Sequence, residues 1–378
     1  MKKVLLTAFI SFFLGMSCVT IMSTYNDASM ESGVIKKKVE VYKNKNYFSP
    51  NNKKLVYTGR IDFSDSSQPR FDWPGSSVKI KFFGTSCSVV LDDGGNNYEI
   101  ILDGKSIKTL VTESTKELYV LAENLESKEH LIELYKRTEA SFGLGIFKGV
   151  VLSKEGYLIQ APILEKKIEF IGDSITCGYG NEGSSPTCDS LRPYENNYMA
   201  FGPITARHFN AQAHIISISG KGVVHNYGER VMKSPQPLPY FYKRILQHST
   251  KKWNFKKWQP DIIVLGLGSN DYSTGFLPDD KTFINAYVNF LKTIRKFNPN
   301  SDIICLVTRQ NKKKLVKNIK EAVELFSSED AHVFTMGFSE FDQNELGCDY
   351  HPNVNMHKQM AKELIAFIEK NIWTKNKK

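Results

Sequence analysis

The sequence predicts two folds in series, a β-sandwich followed by a doubly wound α/β domain. Two stretches and the chain length carry that prediction. From Leu55 to about Leu158, short period-two segments alternate with turn signals and no long helical pattern intervenes. This is the signature of a sandwich, here expected to be a jelly roll. After Pro162, apolar strands alternate with helical periods, the pattern of a parallel sheet with helices on both faces. The length of 378 residues favours two cores over one.

Taken in order, the chain begins with an export signal. Lys2 and Lys3 precede the apolar run Val4–Met16, broken only by Thr7 and Ser11, and no charge follows until Asp27. That is the basic and apolar part of a secretory signal, so residues 1–22 are read as a signal peptide or a lipoprotein signal. Ser17 before Cys18 suits lipid attachment, although Gly15 stands where an aliphatic residue is usual. The whole uncharged stretch before Asp27 is also just long enough for an uncleaved span. The expectation is an exported protein (secreted, periplasmic or lipid-anchored) that meets a membrane only through this segment. Residues 23–54 are polar and lysine-rich without a clean period, and read as a linker.

Residues 55–160 are assigned to the sandwich. Val78-Lys79-Ile80-Lys81-Phe82 alternates with period two, and Tyr98–Leu102 runs into Asp103-Gly104, a hairpin signal. Pro74-Gly75 and Gly94-Gly95 mark further turns.

Residues 161–378 are assigned to the α/β domain. Lys167-Ile168-Glu169-Phe170-Ile171 leads into Gly172-Asp173-Ser174, and Asp261–Leu265 is almost continuously apolar, as a buried parallel strand requires. Phe283, Tyr287, Phe290, Leu291 and Ile294 mark one helical face, and Met356, Met360, Leu364, Phe367 and Ile368 mark another. A site in such a sheet lies beyond the carboxyl ends of the strands.

Composition excludes several classes of function. The net charge of +10 is concentrated in Lys36–Lys54 and Lys375–Lys378, and no helix-turn-helix, RNA-binding or zinc-finger signature accompanies it. Nucleic acid is therefore not expected as a partner. The six cysteines show no C-x-x-C or zinc-ligand spacing, so neither a metal nor another cofactor is expected. In an oxidising compartment Cys177 and Cys188 are candidates to pair across the intervening loop. Cys87 and Cys305, flanked by apolar or small residues, read as buried thiols.

Three loops and one glycine carry chemistry. Ser174 follows a strand directly, and a serine nucleophile needs a base, an orienting group and oxyanion donors. In Asp349-Tyr350-His351-Pro352 the Asp stands two residues from a His whose imidazole it can orient towards the serine. Asn270, in Gly268-Ser269-Asn270-Asp271, can donate a side-chain N–H to an oxyanion, as can the main chain of Gly220 after Ser217-Ile218-Ser219. Each fragment alone is equally a turn or a helix cap. Their joint occurrence in this order is far more specific.

That order resembles the four sequence blocks of the SGNH hydrolases. GDSITCGYG at 172–180, GKGVVHNY at 220–227, Gly268–Tyr272 and GCDYHP at 347–352 are similar to carbohydrate esterase family 2. YTGRIDFSDSSQPRFDWP at 57–74 and KRTEASF at 136–142 look like that family's N-terminal jelly roll, so the likeness covers roughly residues 55–372. It implies a jelly roll joined to a three-layer, flavodoxin-like SGNH domain, and deacetylation of carbohydrate without a cofactor. It also implies Ser174 as nucleophile, His351 as base and Asp349 as third member, although some relatives support the His with a backbone carbonyl. The oxyanion hole would be formed by Ser174 N–H, Gly220 N–H and Asn270. Tyr350 stands where the family commonly has a sugar-flanking Trp, and is assigned to substrate binding.

Other chemistries fit less well. Gly-x-Ser-x-Gly is absent, which disfavours an α/β-hydrolase lipase. Gly266-Leu267-Gly268 mimics a dinucleotide loop, but Asp271 replaces the third glycine. A carbohydrate O-acetyltransferase with the same triad, and a carbohydrate-binding protein without catalysis, are the two alternatives.

Overall fold

The computed structural model describes residues 46–273, 275–308, 312–340 and 342–373; the expected signal lies outside them. Period-two segments become strands because one face of each finds a core. In Ser77–Gly84, Val78, Ile80 and Phe82 point into the sandwich while Lys79 and Lys81 are half-buried. Asp103 and Gly104 both take positive φ, 49° and 82°. This is the turn that lets Asn97–Leu102 and Lys105–Val111 pair as a hairpin.

The two antiparallel sheets face each other. One orders Tyr47–Phe48, Gly145–Leu152, Cys87–Asp92 and Leu118–Ala122, with Arg70–Phe71 also on Gly145–Leu152. The other orders Tyr157–Ile159, Ser77–Gly84, Lys128–Lys136, Asn97–Leu102 and Lys105–Val111, with Val56–Thr58 also on Ser77–Gly84. Between them lies a core that includes Ile80, Phe82, Val89, Leu91, Ile100, Ile132 and Phe147. The expected linker ends earlier than residue 54. Tyr47 and Phe48 pair with Val151 and Val150, and Tyr47 Oη donates to Lys148 O at 2.6 Å. Those two aromatics give the segment a β-forming, partly buried character that the surrounding lysines mask.

Antiparallel pairing ends at Ile159, and a five-stranded parallel sheet begins at Lys166. Its order is Ala211–Ser217, Lys166–Gly172, Ile262–Gly266, Asp302–Val307, Val333–Gly337. The first strand in sequence thus lies second in space, the flavodoxin-like arrangement. Alternate residues feed two cores. Ile171, Ile263, Leu265, Ile303 and Cys305 pack against Phe283, Tyr287, Phe290 and Leu291 of helix Asp280–Phe297. Phe170, Val264, Ile304 and Leu306 pack against Met356, Met360 and Leu364 of helix Val354–Asn371. Phe367, placed on that apolar face from the sequence, is only partly buried.

From Asn46 onward the sandwich and the α/β fold form one compact unit. Trp73 of the sandwich belongs to the core of the α/β domain and its indole N–H donates to Ile245 O at 3.0 Å. Asp72 accepts the main-chain N–H groups of Gln247 and His248. Arg60, fully buried, pairs with Glu169 Oε1 at 3.0 Å and donates to the carbonyls of Tyr242 and Arg244. Removing one partner of a buried pair leaves the other charged without compensation. Arg60→Ala is therefore expected to lower unfolding free energy by about 3–5 kcal/mol, measured by chemical denaturation. A loss below ~1 kcal/mol, typical of exposed pairs, would contradict the pairing.

Candidate active site

Three strands deliver the site at their carboxyl ends. Gly172 closes Lys166–Gly172, and a Cβ there would lie 1.9 Å from Thr176 Oγ1. Only glycine lets the following one-turn helix Ser174–Cys177 fold back this tightly onto the strand end. Asp173 caps that helix by accepting Ile175 N–H at 3.2 Å. Gly220 follows Ala211–Ser217 with φ +75°, a left-handed turn that favours glycine. Asn270 opens a short 3₁₀ turn after Ile262–Gly266.

Asp271 ties two of these loops together. Its buried carboxylate accepts N–H from Val223 at 2.9 Å, Val224 at 2.7 Å and His225 at 2.9 Å. Burial pushes its carboxyl up to about 6 although those donors favour the anion. Asn270 Nδ2 donates to Lys221 O at 2.9 Å and makes a longer 3.4 Å contact to Asp173 Oδ2.

His351 comes from the loop before helix Val354–Asn371. Its Nε2 lies 2.8 Å from Ser174 Oγ. Its Nδ1 lies 3.0 Å from the carbonyl oxygen of Asp349 and 3.3 Å from that of Cys348. Carbonyls only accept, so Nδ1 carries the hydrogen and Nε2 presents its lone pair to the serine. This geometry is that of a general base.

The side chain of Asp349 takes a different place from the one expected. Its carboxylate accepts the Tyr179 hydroxyl at 2.7 Å, and its main-chain oxygen supports His351. The cause is backbone conformation. Asp349 and Tyr350 both sit at positive φ, 50° and 59°, which is uncommon for two successive non-glycine residues. That turn aims a carbonyl at the imidazole and sends the carboxylate outward, where Asp349 is exposed. Tyr179 packs against the imidazole at 4.5 Å between ring centroids. Burial and the Asp349 carboxylate both push its phenol up, so it remains a donor.

The expected Cys177–Cys188 bridge is also corrected. Cys188 is bonded to Cys348, across 160 residues, with Cα atoms 5.5 Å apart. Cys177 ends the nucleophile helix, fully buried, with Sγ 3.1 Å from Ser217 Oγ, and so faces away from the loop that carries Cys188. Cys87 and Cys305 are buried thiols. The bridge pins the base loop, which is held further by Cys348 N–H to Gly180 O at 3.0 Å and Asp349 N–H to Pro186 O at 2.9 Å.

Ser174, Gly220, Asn270, Asp349, Tyr350 and His351 all line one open cleft of about 810 Å³. Tyr179, Tyr227 and Lys312 line it too, and the sequence had not singled them out. Tyr350 and Tyr227 stand at the rim, 67% and 65% exposed. Among the described residues, no cluster of three or more His, Cys, Asp or Glu could hold a metal ion.

A serine and a carbonyl-supported histidine at the strand ends of a 2-1-3-4-5 sheet, beside a glycine turn and an Asn, define an SGNH serine hydrolase. Comparison with known proteins agrees. Residues 168–364 match the GDSL-like lipase/acylhydrolase family, and residues 57–162 match the N-terminal domain of carbohydrate esterase 2. The chain belongs to carbohydrate esterase family 2 and is an SGNH carboxylic ester hydrolase. It is 38% identical over 328 residues to the cellulase/esterase CelE of Acetivibrio thermocellus, covering 84% of this chain and 39% of that one. It is 30% identical to an acetylxylan esterase/glucomannan deacetylase of Cellvibrio japonicus, covering 82% of this chain and 89% of that one. A solved family two carbohydrate esterase from Clostridium thermocellum, in complex with cellohexaose, superposes with a TM-score of 0.79 at 37% identity. The superposition covers 83% of this chain and 98% of that one.

Proposed function

We propose that this esterase removes O-acetyl groups from a β-linked plant-type polysaccharide, of the xylan or glucomannan class, through an acetyl-serine intermediate. The observation that carries the reading is the 2.8 Å contact from Ser174 Oγ to a histidine nitrogen whose opposite N–H is held by carbonyls. The names of the relatives supply the substrate class, and the tyrosine-rimmed cleft suits a chain of sugar rings.

In the first half-reaction Ser174 Oγ attacks the acetyl carbonyl carbon while Nε2 of His351 takes its proton. The carbonyl oxygen becomes an oxyanion beside Ser174 N–H, Gly220 N–H and Asn270 Nδ2. Collapse breaks the ester C–O bond, and the sugar oxygen leaves with the proton from Nε2. Water then attacks acetyl-Ser174, delivering its proton through the same nitrogen and releasing acetate and free serine.

The test is acetate release from acetylated xylan and acetylated glucomannan, measured beside a small aryl acetate. Release from a polysaccharide is expected. Tyr350→Ala should raise KM for the polysaccharide and leave KM for the aryl acetate nearly unchanged. Hydrolysis of the aryl ester with no acetate from either polysaccharide would overturn the substrate class. Equal effects on both substrates would make Tyr350 structural only.

Export is part of the same proposal. The basic and apolar start of the chain supports it, and so does the Cys188–Cys348 bridge, since disulfides persist in oxidising compartments. The mass of the native protein decides it. Cleavage after the apolar run or a lipid on Cys18 is expected, and a cytoplasmic chain starting at Met1 would refute it.

A further inference from the structure

The sandwich reaches the back of the catalytic loops through one short segment, and nothing in the mechanism above uses it. Strand Lys128–Lys136 is followed within three residues by Glu139. Glu139 is 3% exposed, and its Oε2 accepts the main-chain N–H of Ser219 at 2.9 Å. Ser219 immediately precedes Gly220, whose own N–H is an oxyanion donor. The same oxygen lies 3.8 Å from Cys177 Sγ, at the end of the nucleophile helix. Glu139 is itself held on several sides. Its N–H donates to Glu195 Oε1 at 2.6 Å, and its carbonyl accepts from the buried Lys136 ammonium at 3.1 Å. Four residues earlier, on the strand, the Tyr135 hydroxyl donates to Asn197, which caps the nucleophile helix by donating to Thr176 O and Cys177 O.

We propose that Glu139 is a positioning residue for ester hydrolysis, locking Ser219–Gly220 so that the Gly220 N–H points at the oxyanion. The sandwich is then a structural part of the catalytic site and not a separable binding module. This inference rests on the serine-esterase reading. A buried N–H is costly to leave without an acceptor, and a left-handed glycine turn is held in place only by its neighbours. The Ser219 bond depends on the reach of the side chain, so reach and charge can be separated.

The experiment compares Glu139→Asp, Glu139→Gln and Glu139→Ala in the full chain. Two readouts are used: kcat and KM on a small aryl acetate, and hydrogen exchange of the 217–222 segment. Asp keeps the charge but falls short by one methylene, whereas Gln keeps an acceptor at full reach. Asp and Ala are expected to lower kcat by roughly tenfold to a hundredfold, somewhat less than the loss of an oxyanion donor itself because the Gly220 N–H is displaced and not removed. They should leave KM nearly unchanged and speed exchange at Ser219. Gln should restore both. Val89→Ala, in the sandwich core, should lower stability with kcat intact, which separates positioning from general loosening. The proposal is overturned if Asp behaves as wild type in both readouts, if Gln is as impaired as Asp, or if Val89→Ala lowers kcat as much. Should Ala fail to fold, the Asp and Gln pair decides. If the wild type hydrolyses no ester, the serine-esterase reading fails instead, and slow Ser219 exchange in Gln but not Asp decides whether Glu139 holds the loop.

Discussion

Replacing His351 by alanine is expected to lower kcat for acetyl esters by roughly 10⁴-fold or more, with the protein still folded. Nε2 of His351 lies at hydrogen-bond distance from Ser174 Oγ, and without it the hydroxyl loses the base that takes its proton. The loop itself should survive the change. It is pinned by the Cys188–Cys348 bridge and by main-chain bonds at Cys348 and Asp349. Steady-state kinetics with circular dichroism checks both halves of the expectation. Asp349→Asn should behave quite differently. The main chain of Asp349 supports the imidazole while its carboxylate binds Tyr179, so an amide there should cost about tenfold or less, well short of a lost triad member. A loss from Asp349→Asn as large as that from His351→Ala would mean that the carboxylate acts at Nδ1 during turnover.

Asn270→Ala is expected to lower kcat by about 10²–10³-fold with KM little changed. The Asn side chain bridges three loops, donating to Lys221 O and touching Asp173. Its long 3.4 Å contact to Asp173 is the one an oxyanion can replace at little cost. The two main-chain donors remain in the variant, so residual catalysis should stay above that of His351→Ala. A KM effect with kcat intact would place Asn270 in ground-state binding and remove it from the oxyanion hole.

Much of this site was legible in the sequence because its parts are local. Gly-Asp-Ser after an apolar strand, Asn270 at a strand end and His351 before an amphipathic helix each follow from patterns a few residues long. The same holds for the Val78–Phe82 strand and the Phe283–Ile294 face, whose burial the period predicted. What escaped is long-range or conformational. Cys188 and Cys348 are separated by 160 residues, and the nearer Cys177 looked the better partner because spacing says nothing about which way a buried thiol faces. The left-handed pair Asp349–Tyr350 carries no glycine to announce it, so Asp-x-His read as a side-chain contact. Asp271 looked like a turn residue, yet it accepts three main-chain N–H groups from a loop about 47 residues away in sequence. Arg60, Asp72 and Trp73 sat inside a stretch resembling the family's jelly roll, but only the fold shows that they form the joint between sandwich and sheet.

Ester hydrolysis here depends on Ser174 forming the covalent acetyl intermediate, and the Ser174→Ala protein tests that dependence most directly. Acetate release from acetylated polysaccharide, measured on folded wild-type and variant protein at equal concentration, is the measurement. A drop of roughly 10⁴-fold or more is expected, with polysaccharide binding retained because Oγ contributes little to holding sugar. Near-normal acetate release by folded Ser174→Ala would contradict it outright.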